Sequence, residues 1–160
     1  NLTAQNNLLR EAAGFGVSPD RLVFAKSLPV TEHLQRLQLA DLMLDSYPCG
    51  AHTTCSDALR MGVPVVTRRG QSFASRVAAS LLDELQLNAW VADTEQEYLR
   101  IAIELAQNPQ QLADVKKCLQ ENLLSGSLFS PEQYAKSLEK AFHHVYQRWV
   151  SGLSPEHIEL

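Results

Sequence analysis

Cys49-Gly-Ala-His-Thr-Thr-Cys-Ser-Asp57 decides how this chain reads. It follows a short apolar run, Leu42-Met-Leu-Asp45, and precedes a helical pattern, Ala58-Leu-Arg-Met-Gly62. A strand, a turn of small residues and then hydroxyl side chains opening a helix form a place for an anion. The first backbone N–H groups of a helix have no carbonyl partner within it, and the helix dipole favours negative charge there. Thr53 and Thr54 add hydroxyl donors, and His52 adds a further donor or a positive charge. Gly50 and Ala51 carry little or no side chain, so a ligand can approach the backbone. Asp57 lies about one turn further in, where a carboxylate can accept bonds from sugar hydroxyls. The other reading of the same spacing is a helix capped by Thr53 or Thr54, with His52 an ordinary loop residue.

Strand patterns alternate with helical ones on both sides of this stretch. Residues 3–14 read as a helix, with Leu8, Leu9, Ala12 and Ala13 on one face and Gly14 and Gly16 ending it. Arg21-Leu-Val-Phe-Ala25 reads as a buried strand after a Ser18-Pro-Asp20 turn, and 27–30 as a loop. Thr31 is placed as the cap of a helix carrying Leu34, Leu37 and Leu39 on its inner face. Strands are expected at 41–45, 64–67 and 89–92, and helices at 54–61 and 75–85. Three helices, 94–107, 109–123 and 131–149, close the chain, started by Asp93 or Thr94, Pro109 and Ser130-Pro131. Residues 1–150 are expected to be one partial lobe and 151–160 a flexible tail. The alternation predicts a parallel sheet with helices on both faces, and such sheets bind ligands beyond the carboxyl ends of their strands.

The composition fits a globular α/β domain: 160 residues, 45% hydrophobic and 20% charged. A net charge of −4 argues against a general nucleic-acid binder, although Lys26, Arg36, Arg60, Arg68, Arg69 and Arg76 gather in the first half. Three cysteines, Cys49, Cys55 and Cys118, fit neither a zinc spacing nor a disulfide framework, so a reducing, cytoplasmic setting is expected. No run reaches a membrane span and no signal peptide is visible. The start lacks Met, which suggests a piece of a longer protein.

The remaining candidates are weaker. His33 and Arg36 lie one turn apart on a helix that follows a strand-loop, and read either as a solvated face or as a wall for a base or sugar. Arg68, Arg69 and Arg76 flank Gly70 and read as a solvated cluster. Asp45, at a strand end, reads as orienting a loop or binding a ligand, the structural role being favoured. Phe142, Val145, Tyr146 and Trp149 are spaced as a buried stripe packing on the core or on another domain, while the adjacent His143 and His144 point apart and make a poor metal pair. No catalytic triad, GxGxxG or Walker lysine motif is present.

The segments Gln38–Asp45, Ala51-His-Thr-Thr54, Ser56-Asp57-Ala58-Leu59, Gly62–Thr67 and Phe73-Ala-Ser-Arg-Val-Ala-Ala-Ser80 together resemble the O-linked N-acetylglucosamine transferase family, with its SPINDLY-type relatives. The resemblance covers roughly residues 5–149. It implies the second half of the C-terminal, donor-binding lobe of a GT-B glycosyltransferase, two Rossmann-like lobes in all. It implies a protein O-glycosyltransferase that moves N-acetylglucosamine from a UDP-sugar to Ser or Thr. His52, Thr53 and Thr54 would bind the diphosphate, Asp57 the ribose, His33 and Arg36 the uracil, and the Leu28 backbone the uracil edge. No cofactor or metal is expected. Protein acceptors would be met through regions outside this piece, which include helical (TPR) repeats, and the piece alone would be inactive. Neither nucleic acid nor membrane is an expected partner. Animal members carry a lysine where this chain has Val30, and a phosphate-binding lysine belongs before the portion present. Alternatives are the same fold using GDP-fucose or UDP-glucose, or a catalytically inactive nucleotide-binding or scaffold module. Asp57 leans towards the uridine members.

Overall fold

The computed structural model describes residues 1–158. The chain divides into two compact units, residues 1–33 and residues 34 onward. The first holds helix α1 (Leu2–Gly14), capped by the Asn1 side chain, which accepts a bond from the Thr3 N–H at 2.9 Å. A single 3-10 turn, Pro19–Arg21, follows. The expected strand at 21–25 does not form: residues 22–29 have no regular structure, and Val23 is 87% exposed. Apolar, β-favouring residues make a strand only where a neighbouring strand takes up their backbone bonds, and none pairs with them among the described residues. Helix α2 (Val30–Leu37) begins at Val30, so Thr31 lies inside its first turn rather than capping it.

The second unit is built on three parallel strands in the order β1 (Met43–Leu44), β2 (Val65–Arg68), β3 (Val91–Ala92). Met43 aligns with Val65, and Thr67 with Val91. The ladder extends past the strands, through Asp45 N–H to the Val66 carbonyl at 3.0 Å and Arg69 N–H to the Ala92 carbonyl at 2.8 Å. The central strand is buried on both faces because alternate side chains enter different cores. Val65 joins Cys55, Ala58 and Leu59 of α3 (Thr53–Arg60), Ala78 and Leu82 of α4 (Val77–Glu84), and Leu119 of α6 (Pro109–Ser125). Val66 joins Ala92, Ile101 and Leu105 of α5 (Glu95–Gln107), and Val115 of α6. This is the doubly covered parallel sheet that the alternation predicts. Leu82 is fully enclosed. Leu82→Ala should lower unfolding free energy by about 2–5 kcal/mol, read as a lower denaturation midpoint.

The three closing helices start where expected. Thr94 accepts from Glu97 N–H at 3.2 Å, Asn108 from Gln111 N–H at 3.1 Å, and Ser130 from Gln133 N–H at 3.3 Å. Helix α7 (Pro131–Val150) does not take the first of its two expected packings, against the core. Phe142, Val145, Tyr146 and Trp149 are exposed, Trp149 at 74%, so the stripe is not covered by this chain's own core. An amphipathic period shows which face seeks burial without showing whether the covering element belongs to the same segment. Residues 151–158 turn back after α7, where Arg148 donates to the Ser154 carbonyl at 2.6 Å and pairs with Glu156. Positions 159 and 160 of the expected tail lie outside the described residues.

Candidate nucleotide-binding site

The loop from β1 to α3 is held by one buried carboxylate. Asp45 directly follows β1 and is 7% exposed. Its Oδ1 accepts the N–H groups of Ser46, at 2.8 Å, and Ala51, at 2.7 Å. Its Oδ2 accepts the Thr67 hydroxyl at 2.7 Å. The Tyr98 hydroxyl of α5 donates to the Asp45 carbonyl at 2.8 Å. Burial, and then the Asp45 charge, raise the Tyr98 pKa above its ordinary value. Asp45 therefore closes the loop upon itself and ties it to β2, while its backbone ties it to α5. This is the loop-orienting role that its place at the strand end implies.

Gly50 serves the loop rather than a ligand. A β-carbon there would meet Asp45 Oδ2 at 3.0 Å and the Ala74 carbonyl at 3.2 Å. Its N–H donates to that carbonyl at 2.8 Å. The missing side chain lets the loop pack on Asp45 and on the turn Phe73–Ser75. The expectation that Gly50 opens the backbone to a ligand is corrected accordingly. Its N–H and that of Ala51 are used within the protein.

The helix mouth itself is open. His52 occupies the cap position of α3 without a side-chain capping bond, so neither Thr53 nor Thr54 is the cap. The first intrahelical bond runs from Ser56 N–H to the His52 carbonyl at 3.0 Å. The N–H groups of Thr53, Thr54 and Cys55 precede it, in the first turn of the helix. His52, Thr53 and Thr54 are exposed, and Asp57 is half-buried. Asp57 lies four residues after Thr53, and helical side chains tilt towards the amino end, so its carboxylate stands on the same side as the mouth. The His52 ring meets Phe73 edge-on, with centroids 5.6 Å apart, and its Nε2 lies 3.4 Å from the Ala74 carbonyl. Three of the expected site residues, His52, Thr53 and Thr54, thus open one helix, and Asp57 follows about one turn further in.

The other three lie apart in sequence. Leu28 is exposed, in the irregular stretch of the first unit. His33 is half-buried and is the last residue of that unit. Arg36, also half-buried, is in the second unit, in the last turn of α2. Among the described residues, no three His, Cys, Asp or Glu side chains are gathered as a metal site. No helix among them is long and apolar enough to cross a membrane.

Cys55 points from α3 into the core and is fully buried. Burial first, and the Asp45 charge second, push its thiol up to about 12. Cys49 and Cys118 are exposed. Native alkylation at pH 8 should label Cys49 and Cys118 and spare Cys55, which should react only after unfolding; peptide mapping by mass spectrometry reads this. The unfolded thiol ionises near its ordinary value of 9.0, before the folded one does. This contribution to stability is therefore complete below about pH 9 and lost as pH rises towards 12.

The fold and this mouth define a class: a parallel α/β lobe with an open helix N-terminus at the carboxyl end of a strand, as in nucleotide-handling lobes. Residues 2–138 match glycosyl transferase family 41, and the chain belongs to that family. It is 38% identical over 143 residues to a UDP-N-acetylglucosamine–peptide N-acetylglucosaminyltransferase of Caenorhabditis elegans, covering 89% of this chain and 12% of the relative. A probable enzyme of the same name, SPINDLY, from Hordeum vulgare is 36% identical over 124 residues, covering 78% and 13%. Among solved structures, a K341M mutant of Thermobaculum terrenum O-GlcNAc transferase superposes with a TM-score of 0.81 at 33% identity, covering 90% of this chain and 28% of that one. The fold is accordingly part of a GT-B glycosyltransferase. The chain spans only about an eighth of the length of these curated relatives.

Proposed function

We propose that this chain is the nucleotide-diphosphate-binding part of a protein O-glycosyltransferase that moves N-acetylglucosamine from UDP-N-acetylglucosamine to Ser or Thr. Membership of family 41 and the activities of the relatives support the reaction. The observation that carries the role of this piece is the exposed amino end of α3, with His52, Thr53 and Thr54 around it and Asp45 holding it in place.

Transfer of the sugar leaves a nucleoside diphosphate on which negative charge grows. The N–H groups opening α3, the two threonine hydroxyls and His52 are donors fixed in advance of that charge. They bind it more tightly in the transition state than in the ground state, and so accelerate transfer. In this reading Asp57 accepts from ribose hydroxyls, the Leu28 backbone meets the uracil edge, His33 stacks near the uracil, and Arg36 approaches the base. The donors carry the neutralisation without a metal or other cofactor. Acceptor proteins are met through parts of the full-length protein that include helical repeats, and the protein works in the cytoplasm. The piece alone is inactive.

A second donor is a specific alternative, because Val30 stands exposed where animal members carry a lysine. The test is transfer by the full-length protein to a Ser/Thr peptide, with UDP-N-acetylglucosamine, UDP-glucose and GDP-fucose supplied in parallel. The first donor should be preferred by at least about tenfold in kcat/KM, equivalent to roughly 1.4 kcal/mol. Preference for GDP-fucose or UDP-glucose would replace the donor assignment. UDP binding with no transfer from any of the three would leave a nucleotide-binding module.

A further inference from the structure

The ring of His52 leans on a neighbouring turn and not on its own helix. His52 stands at the cap position of α3, and its side chain makes no capping bond there. Among the described residues, the side chain takes its ring contact and its polar contact from the turn Phe73–Ser75. Phe73 meets it edge-on, with centroids 5.6 Å apart and ring planes at 89°. This is the T-shaped arrangement that aromatic pairs favour. The Ala74 carbonyl lies 3.4 Å from Nε2. A carbonyl only accepts, so this contact puts a proton on Nε2 and leaves Nδ1 for a ligand, to which the imidazolium donates.

The turn is itself fixed on two sides, so it can hold the ring still. Gly50 N–H donates to the Ala74 carbonyl at 2.8 Å, which joins the turn to the loop before α3. Gly70 N–H donates to the Ser75 carbonyl at 3.0 Å, which joins it to the loop after β2. Arg76 N–H closes the turn on the Phe73 carbonyl at 3.1 Å. Ser75 is 6% exposed, and its hydroxyl donates to the Ser72 carbonyl at 3.0 Å. Phe73 by contrast is 79% exposed, and a ring so exposed adds little to the core.

We propose that Phe73 is a positioning residue for transfer, holding the His52 ring in the orientation from which it donates to the diphosphate. The proposal deepens the diphosphate reading of the α3 mouth and rests on it. An imidazole on a loop turns freely about its side-chain bonds. One held beforehand is already aimed when charge grows on the leaving group, and so stabilises it without reorganising. Phe73 acts through His52 and touches no reacting atom.

The test is a double-mutant cycle in the full-length protein, with kcat and KM for UDP-N-acetylglucosamine read from transfer to a Ser/Thr peptide. An aromatic pair of this kind is equivalent to roughly a twofold to tenfold change in rate. Phe73→Ala should lower kcat by that factor and change donor KM little. Phe73→Tyr, which keeps the ring, should keep the wild-type rate. In the His52→Ala background, Phe73→Ala should cost nothing further. Amide exchange at Gly50 reads the turn, and its protection should persist in Phe73→Ala, since the ring takes no part in that bond. Wild-type kcat in Phe73→Ala would overturn the proposal. So would an equal fall with and without His52, or loss of Gly50 protection, which would assign the effect to the turn and not to the ring. Those results leave the diphosphate reading standing. Unchanged kcat/KM in His52→Ala alone would sink that reading and the proposal with it.

Discussion

Replacing Thr53 or Thr54 by alanine in the full-length protein lowers kcat/KM roughly tenfold to a hundredfold, because each hydroxyl bond to a charged phosphate is worth about 1.5–3 kcal/mol. Both side chains are exposed at the amino end of α3 and neither caps the helix. Their loss should therefore leave the fold intact and appear in the chemistry. If the hydroxyls act mainly on the leaving group, kcat falls while KM for the donor changes little. Replacing His52 should act in the same direction and also remove the edge contact with Phe73. Steady-state kinetics on the single variants check this, with unfolding midpoints as the control. Unchanged kcat/KM in both threonine variants would remove the diphosphate from this helix end.

Asp45→Ala has the largest expected effect on structure. The substitution strips the acceptor from a buried hydroxyl and from two N–H groups of the site loop. Each buried donor left without its acceptor costs about 1–3 kcal/mol. Asp45→Asn keeps the volume; its Oδ1 can accept the two N–H groups and its NH2 can donate to the Thr67 hydroxyl, so it should cost much less than the alanine change. The local signature is amide exchange at Ala51. Its N–H is bonded to Oδ1 at 2.7 Å and should be protected in the native protein, with protection lost in Asp45→Ala and kept in Asp45→Asn. Activity should fall with it, since the loop that aims α3 is released. Retained Ala51 protection in Asp45→Ala would show that something other than Asp45 holds the loop.

The centre of the fold was legible because the signals there are strong and local. Helix α3 was expected at 54–61 and runs Thr53–Arg60, and β2 was expected at 64–67 and runs Val65–Arg68. Small residues, then hydroxyls, then an apolar period dictate that strand–turn–helix with little help from distant parts. Arg21–Ala25 failed for the opposite reason. Its β propensity is genuine, but a strand needs a ladder partner, and no local pattern says whether one is present. The α7 stripe was read correctly as apolar, and its covering was not readable for the same reason.

At the candidate site, His52, Thr53, Thr54 and Asp57 are gathered by a single loop and helix, so spacing sufficed to group them. Gly50 misled because a missing side chain signals close approach without saying by what. The near neighbours here are Asp45 and Ala74. The Tyr98 anchor was missed. Its signal was a tyrosine on the inward face of α5, a residue that seeks a partner for its hydroxyl when partly buried. The arginines around Gly70 read as solvated because charge spacing cannot show that the fold brings Asp83 and Glu95 beside them.

The central claim is that the donor diphosphate sits on the amino end of α3. A crystal structure of the full-length protein with UDP tests it most directly. Phosphate oxygens should lie within hydrogen-bond reach of the Thr53 and Thr54 groups, with His52 alongside. A diphosphate held instead among Arg68, Arg69 and Arg76, with the α3 mouth left to solvent, would contradict it.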